Sequence, residues 1–258
     1  MIKYTFLLPA FKPDFFEEAL RSIKDQTYSD FKVLVSDDCS PHDLKSIYNK
    51  VCGDDARFSF RRNEVNMGSK SLVSHWNLLV DMCDTEYLIL ASDDDVYEPT
   101  FLEEVDKLAQ KYPEVDLIRA RVKRFDGKQI LEEDSVRKEY ESQIEFLFNS
   151  CSVVQIPCIG NYVFRKKALF KNGFYELPLA WGSDEITTNE ASINGVAITE
   201  RIEFSFRWSG INISTLENDS TLRQKLEARK KMCLYYRNFF AAISSDGSYW
   251  QNKMLTYA

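Results

Sequence analysis

Short apolar runs alternate with amphipathic stretches along the first 122 residues, and the alternation predicts the elements. Tyr4 to Leu8 is a short buried strand. Asp14 with Glu17 three positions on has capping-box form, and Phe16, Ala19, Leu20 and Ile23 follow at helical spacing. Phe31 to Val35 is a second strand, after which Ser40 and Pro41 read as the N-cap and first position of a helix running to about Val51. Phe58 to Arg61 is a third strand. Ser71 to Met82 is helical, with Leu72, His75, Trp76, Leu79 and Val80 along one side, which makes His75 and Trp76 core residues. Tyr87 to Ala91 is apolar throughout, as a strand covered on both faces should be. A helix from Pro99 to about Tyr112 and a strand from Val115 to Val122 complete the series.

Such β-α repetition predicts an α/β fold: a Rossmann-like, mostly parallel central sheet with helices on both faces. Ligands then collect beyond the carboxyl ends of the strands. Three of those ends carry distinctive residues: Pro9-Ala10-Phe11, Asp37-Asp38, and Asp93-Asp94-Asp95. The second half is less regular. Residues 123–155 are polar and read as loop and helix. "GNYVFRKKALFKNGF" reads as strand, helix and an Asn172-Gly173 turn. "WGSDEITTNEASING" is a helix with Ser183 near its start and Gly195 past its end, and "AITERIEFSFRW" is a strand.

Charge narrows the function. The net charge is -7, which argues against nucleic acid as a partner. An anionic ligand would therefore need local neutralisation. Three adjacent carboxylates after a buried strand suit a hard divalent cation, Mn²⁺ or Mg²⁺, which could carry a diphosphate; the bland alternative is a solvated acidic turn. Asp37 and Asp38 could accept a hydrogen bond from a base ring, or pair with a lysine or cap a helix. The six cysteines have irregular spacing and no C-x-x-C, the pattern of reduced thiols. The N-terminal apolar run is short for a signal peptide, and no window approaches the ~20 apolar residues of a spanning helix. A cytoplasmic protein is expected.

"FLLPAFKPDFFEEALRSIKDQTYSDFKVLVSDDCS", "NEVNMGSKSLVSHWN" and "EYLILASDDDVYEP" together resemble the family 2 glycosyltransferases, which have the GT-A nucleotide-sugar transferase fold. The likeness is strong over residues 3 to 110 and continues more weakly to about 214. It implies a nucleotide-sugar donor, UDP-linked in many members. Pro9, Ala10 and Phe11 would line the base cavity, Asp38 would bond the base, and Asn66, Gly68 and Lys70 would lie near the diphosphate. Members carry an Asp-x-Asp before the proline matched by Pro99. Ser92 stands at its first aspartate, so Asp94 is implied as metal ligand, Asp93 as ribose or metal contact, and Asp95 as a further group at the metal. "GSD" matches "GED" and implies Asp184 as the general base, although capping its own helix is the alternative. "FRWSGINIS" implies Arg207 near the diphosphate, with Ser209 where members have a histidine.

The expected division is a nucleotide-sugar-binding half, 1–122, an acceptor and catalytic-base half, 123–215, and a helical tail, 216–258. The acceptor would be a glycan or a lipid-linked glycan, and transfer would invert the anomeric centre. Between Thr221 and Ile243 the tail has six basic residues and one acidic. With Tyr235, Tyr236, Phe239 and Phe240 it could rest on the inner face of an anionic membrane, pack back on the catalytic domain, or form a homodimer contact. Two rivals stand beside the transferase: a non-catalytic nucleotide-sugar or glycan-binding protein of the same fold, and a nucleotidyltransferase, whose Gly-rich phosphate loop is missing after the first strand.

Overall fold

The computed structural model describes residues 2–152, 155–169, 173–215 and 218–243. The first half follows the expected alternation: β1 (Tyr4–Ala10), α1 (Phe16–Lys24), β2 (Phe31–Asp37), α2 (Leu44–Cys52), β3 (Phe58–Arg62), α3 (Leu72–Met82), β4 (Tyr87–Leu90), β5 (Val96–Tyr97), α4 (Phe101–Lys111) and β6 (Leu117–Phe125). Then come β7 (Ile130–Glu133), β8 (Tyr140–Glu141), α5 (Gln143–Cys151), β9 (Tyr162–Arg165), α6 (Lys166–Leu169), α7 (Ser183–Ala191), β10 (Val196–Arg207) and α8 (Asp219–Ile243). Asn172 of the expected turn lies outside the described residues.

The strands form one mixed sheet in the order β3-β2-β1-β4-β9-β6-β10-β5, with β7 on β6 and β8 on β10. The long ladders are parallel: β1 with β2 and β4, β2 with β3, and β6 with β10. Antiparallel β9 sits between β4 and β6. Alternate residues of each strand feed two cores, as the pleat requires. Phe6 and Leu8 of β1 pack with Phe16, Leu20 and Phe101 on one face. Leu7 packs with Val73, Trp76 and Phe174 on the other. His75 is fully buried there and bonds Ser36 Oγ at 3.0 Å.

Two helix starts differ from expectation. Asp14 does not cap α1: the N-cap is Phe15, without a side-chain bond, and Phe16 N donates instead to the Pro13 carbonyl. Helix α2 begins at Leu44, capped by Asp43, whose carboxylate accepts from Ser46 N at 3.0 Å. Ser40 serves another purpose. Its hydroxyl donates to the Phe11 carbonyl at 2.6 Å and ties the tips of β1 and β2 together. Ser71 does cap α3, accepting from Ser74 N at 2.9 Å.

Helix α8 turns its aromatic side to the body. Ala228 and Met232 are buried against Leu177 and Ile186, with Tyr235 and Tyr236 at the margin. Phe240 is buried against Leu147 of α5. Leu222, Leu226 and Leu234 face outward. Among the described residues no helix is long and apolar enough to cross a membrane.

Candidate active site

Parallel strands leave their carboxyl ends on one edge, and here those ends open into a single cavity of about 710 Å³. Pro9, Ala10 and Phe11 from β1, Asp38 from β2, Asn66 and Gly68 from the turn after β3, and Asp93, Asp94 and Asp95 from the end of β4 all line it. So do Asp184 and Glu185 of α7, which come from the other half of the chain.

Asp38 organises the donor side. Its carboxylate accepts from Asn63 Nδ2 at 2.7 Å, Met67 N at 2.9 Å and Gly68 N at 2.7 Å. The turn is thus wrapped around one buried anion, and a Cβ at Gly68 would lie 3.0 Å from Asp38 Oδ2. Asn66 closes the turn by accepting from Ser69 N at 2.8 Å. Burial lowers the pKa of the His75 imidazole beside Asp38, against the opposing pull of that carboxylate. Phe11 keeps an exposed ring on the cavity wall, an apolar face of the kind on which a base stacks.

The three aspartates have three different settings. Asp93 Oδ2 accepts from Phe11 N at 2.8 Å and Lys12 N at 2.7 Å, which fastens the β1 tip to the β4 tip. Asp94 Oδ2 accepts from Lys12 Nζ at 2.8 Å and Asn212 Nδ2 at 3.2 Å. Asp95 accepts from Ser92 Oγ at 2.5 Å and Arg207 N at 2.8 Å. One Asp95 oxygen thus ties the end of β4 to β10, and the other closes a local turn with Ser92. Burial, reinforced by Asp94, pushes the Asp95 carboxyl well above the usual range, and burial also raises Asp93 against the pull of Lys12. The triplet is not a three-carboxylate cage, and among the described residues no group of three or more His, Cys, Asp or Glu is placed to hold a metal.

A divalent cation still fits. Small hard ions are commonly held by one or two carboxylates, with waters and substrate phosphates completing the shell. Asp93 and Asp94 already share a cation: the Lys12 ammonium lies 2.8 Å from Asp94 Oδ2 and 3.6 Å from Asp93 Oδ1. Burial opposes the charge on Lys12, but the two carboxylates overcome this and hold its pKa above the usual value.

Two expected donor contacts lie elsewhere. Arg207 is 3% exposed and does not line the cavity. Its Nε donates to the Asp94 carbonyl at 2.8 Å and its Nη2 to Glu18 at 2.5 Å, while its guanidinium lies between the rings of Phe15 and Phe125, 4.2 and 4.4 Å from their centroids. It is a clamp beneath the site. Lys70 is exposed and is absent from the cavity wall, and its backbone N–H closes the turn by donating to the Met67 carbonyl. The cations that do face the cavity are Lys12 and Arg124, the latter paired with Glu132 and stacked 5.0 Å from the Trp208 ring. Neither was singled out by sequence reasoning, although Lys12 directly follows a strand tip that was. Asn212 was also missed as a partner of Asp94.

The wall bearing Asp184 is built differently. Gly182 is the N-cap of α7 at φ 83°, and a Cβ there would run into Met232 of α8. Leu179 and Ala180 just before it also have positive φ, 58° and 55°. Asp184 follows in the first turn. Burial raises its pKa to about 6, while the backbone N–H groups of Glu185 and Asp184 itself favour the anion. Burial and the neighbouring Asp184 push Glu185 to about 7. Ser183 is fully buried, and its hydroxyl has no hydrogen-bond partner among the described residues.

The chain shares its fold with solved structures of TarS from S. aureus. The complex of TarS 1-349 with UDP-GlcNAc matches at 19% identity and a TM-score of 0.67, covering 84% of this chain and 62% of that one. The complex with UDP matches at 18% identity and a TM-score of 0.65, over 81% and 61%. The chain thus spans about three fifths of the length of those structures. Residues 6–172 match the sequence profile of glycosyl transferase family 2, a span from within β1 to α6 that includes Pro9, Ala10, Phe11, Asp38, Asn66, Gly68 and Asp93 to Asp95. The fold, the cavity and that match agree, and the chain belongs to glycosyl transferase family 2.

Proposed function

We propose that this chain is an inverting, metal-dependent transferase that moves one sugar from a nucleotide diphosphate sugar, UDP-linked, to a hydroxyl of a glycan or lipid-linked glycan. The observation that carries the reading is the shared cavity: Asp93 and Asp94 from one half of the chain and Asp184 from the other line the same space. Phe11 and the Asp38 turn take the nucleoside. Asp94, with Asp93, would hold Mn²⁺ or Mg²⁺, which when bound stabilises the charge of the departing diphosphate. Asp184 accepts the proton of the acceptor hydroxyl as its oxygen attacks the anomeric carbon. The bond to the diphosphate breaks on the opposite face, and the configuration inverts. A base pKa of about 6 leaves Asp184 mostly ionised at pH 7, yet basic enough to take a proton.

UDP-GlcNAc is the first donor to test, because TarS has been solved in complex with it. Release of UDP that needs Mn²⁺ and an acceptor is expected. Nucleotide binding without turnover across a panel of glycan acceptors would instead favour the non-catalytic binding protein.

A further inference from the structure

Lys12 already does electrostatically, between Asp93 and Asp94, what an ion would do. Its backbone is fixed, because Phe11 N and Lys12 N both donate to Asp93 Oδ2. Its side chain is 31% exposed, reaches Asp94 along a stem of four methylenes, and lies in the cavity wall. Asp94 Oδ2 accepts from both Lys12 Nζ and Asn212 Nδ2, so a further partner at that oxygen must displace one of them. Asp93 and Asp94 together carry two negative charges, which the ammonium halves. A divalent cation added with Lys12 in place would make the cluster net positive and set two like charges side by side at a buried position.

We propose that Lys12 is a tethered placeholder cation: it occupies the position between Asp93 and Asp94 while the cavity is free of donor, and yields it when ion and nucleotide diphosphate arrive together. The proposal rests on the metal-dependent reading above. Its consequence is coupling. The ion alone must expel an ammonium from two carboxylates. In the presence of the diphosphate the expelled ammonium gains an anionic partner in the same cavity. Nucleotide and ion therefore strengthen each other's binding, and the reciprocity is thermodynamically required.

The test is calorimetric titration of Mn²⁺ into the wild-type chain and into Lys12→Met, each with and without saturating UDP, with Lys12→Gln as an independent second variant. Without UDP, both variants should bind Mn²⁺ at least about tenfold tighter than wild type, and UDP should shrink that difference. Asp94→Asn in the Lys12→Met background should abolish the gain. Equal Mn²⁺ affinity in wild type and variants, or a gain that survives Asp94→Asn, overturns the placeholder and leaves the metal-dependent reading standing. Absence of Mn²⁺ binding in every chain, with and without UDP, overturns both.

Discussion

The two walls of the cavity are built on opposite principles. On the donor wall the carboxylates have partners before any ligand arrives, although Asn63 Oδ1 and His75 Nδ1 beside Asp38 have none among the described residues. Asp38 gathers three donors, Asp93 two backbone amides, and Asp95 a hydroxyl and an amide. On the base wall Asp184 has only backbone N–H groups to favour its charge, Ser183 Oγ is unpartnered, and the loop before them holds residues at positive φ. A satisfied network fixes geometry, which is what recognising a rigid nucleotide requires. Hydrogen-bond donors favour the carboxylate anion and oppose burial, and at Asp184 only backbone N–H groups set against its burial leave the basicity that proton transfer needs. The chain orders one wall and leaves the other under-satisfied, because binding and proton transfer ask for different electrostatics.

The contrast is broken most severely at Asp184. Asp184→Asn should reduce transfer by about a hundredfold or more, the usual contribution of a general base. It should also raise stability. The folded pKa of about 6 lies above the unfolded value of 3.8, so the folded chain binds the proton more tightly. Stability therefore falls as pH rises from about 4 to 6, and the full cost stands at pH 7. Removing the charge should return up to about 3 kcal/mol there. Melting curves at pH 7 and pH 4 would check this: the variant's advantage must shrink at the lower pH. In wild type, turnover should rise with pH through about 6 and then level. A flat profile from pH 5 to 8 would take Asp184 out of the base role.

Arg207 gives the next largest effect and tests the donor wall. Arg207→Ala strips a buried guanidinium from the Asp94 carbonyl and from the face of two rings. It should cost about 3 kcal/mol of stability, as loss of a buried charged hydrogen-bonding group does. A diphosphate ligand would behave differently, losing nucleotide affinity with an unchanged melting temperature. Asp38→Ala comes close behind. It leaves Asn63 Nδ2, Met67 N and Gly68 N without their acceptor, at a cost of about 2 kcal/mol, and should weaken UDP binding in the same calorimetric assay.

The same division explains what could be read from the chain beforehand. Strands β1, β2 and β4 are apolar runs ended by charge, so their tips were visible, and the cavity residues at those tips followed. Roles that depend on which donor lies nearest were not. "PDFFE" has capping-box form, yet Phe15 takes the N-cap with its ring under the Arg207 guanidinium. Asp95 looks like its two neighbours, and only β10 arriving alongside shows that one of its oxygens accepts from Arg207 N. Strand β9 is a short apolar run that reads the same in either direction, and its antiparallel place between β4 and β6 leaves no mark in its own residues. The wall bearing Asp184 was legible only through a resemblance, since a short "GSD" before a helix reads equally well as a cap.

The smallest prediction sharpens the comparison at its weaker side. Leu179 and Ala180 are held in left-handed backbone, which costs a residue with a Cβ roughly 1–2 kcal/mol relative to glycine. Glycine gains more entropy in the unfolded chain, so part of that relief is lost. Ala180→Gly, the change that removes least side chain, should therefore stabilise the fold by about 0.5 kcal/mol, measured by chemical denaturation. If the strain serves to keep the loop before Gly182 and Asp184 from relaxing, the same substitution should lower turnover with little change in UDP affinity. A variant both more stable and equally active would mean that the strain is incidental, and that Met232 against Gly182 positions the base by packing alone.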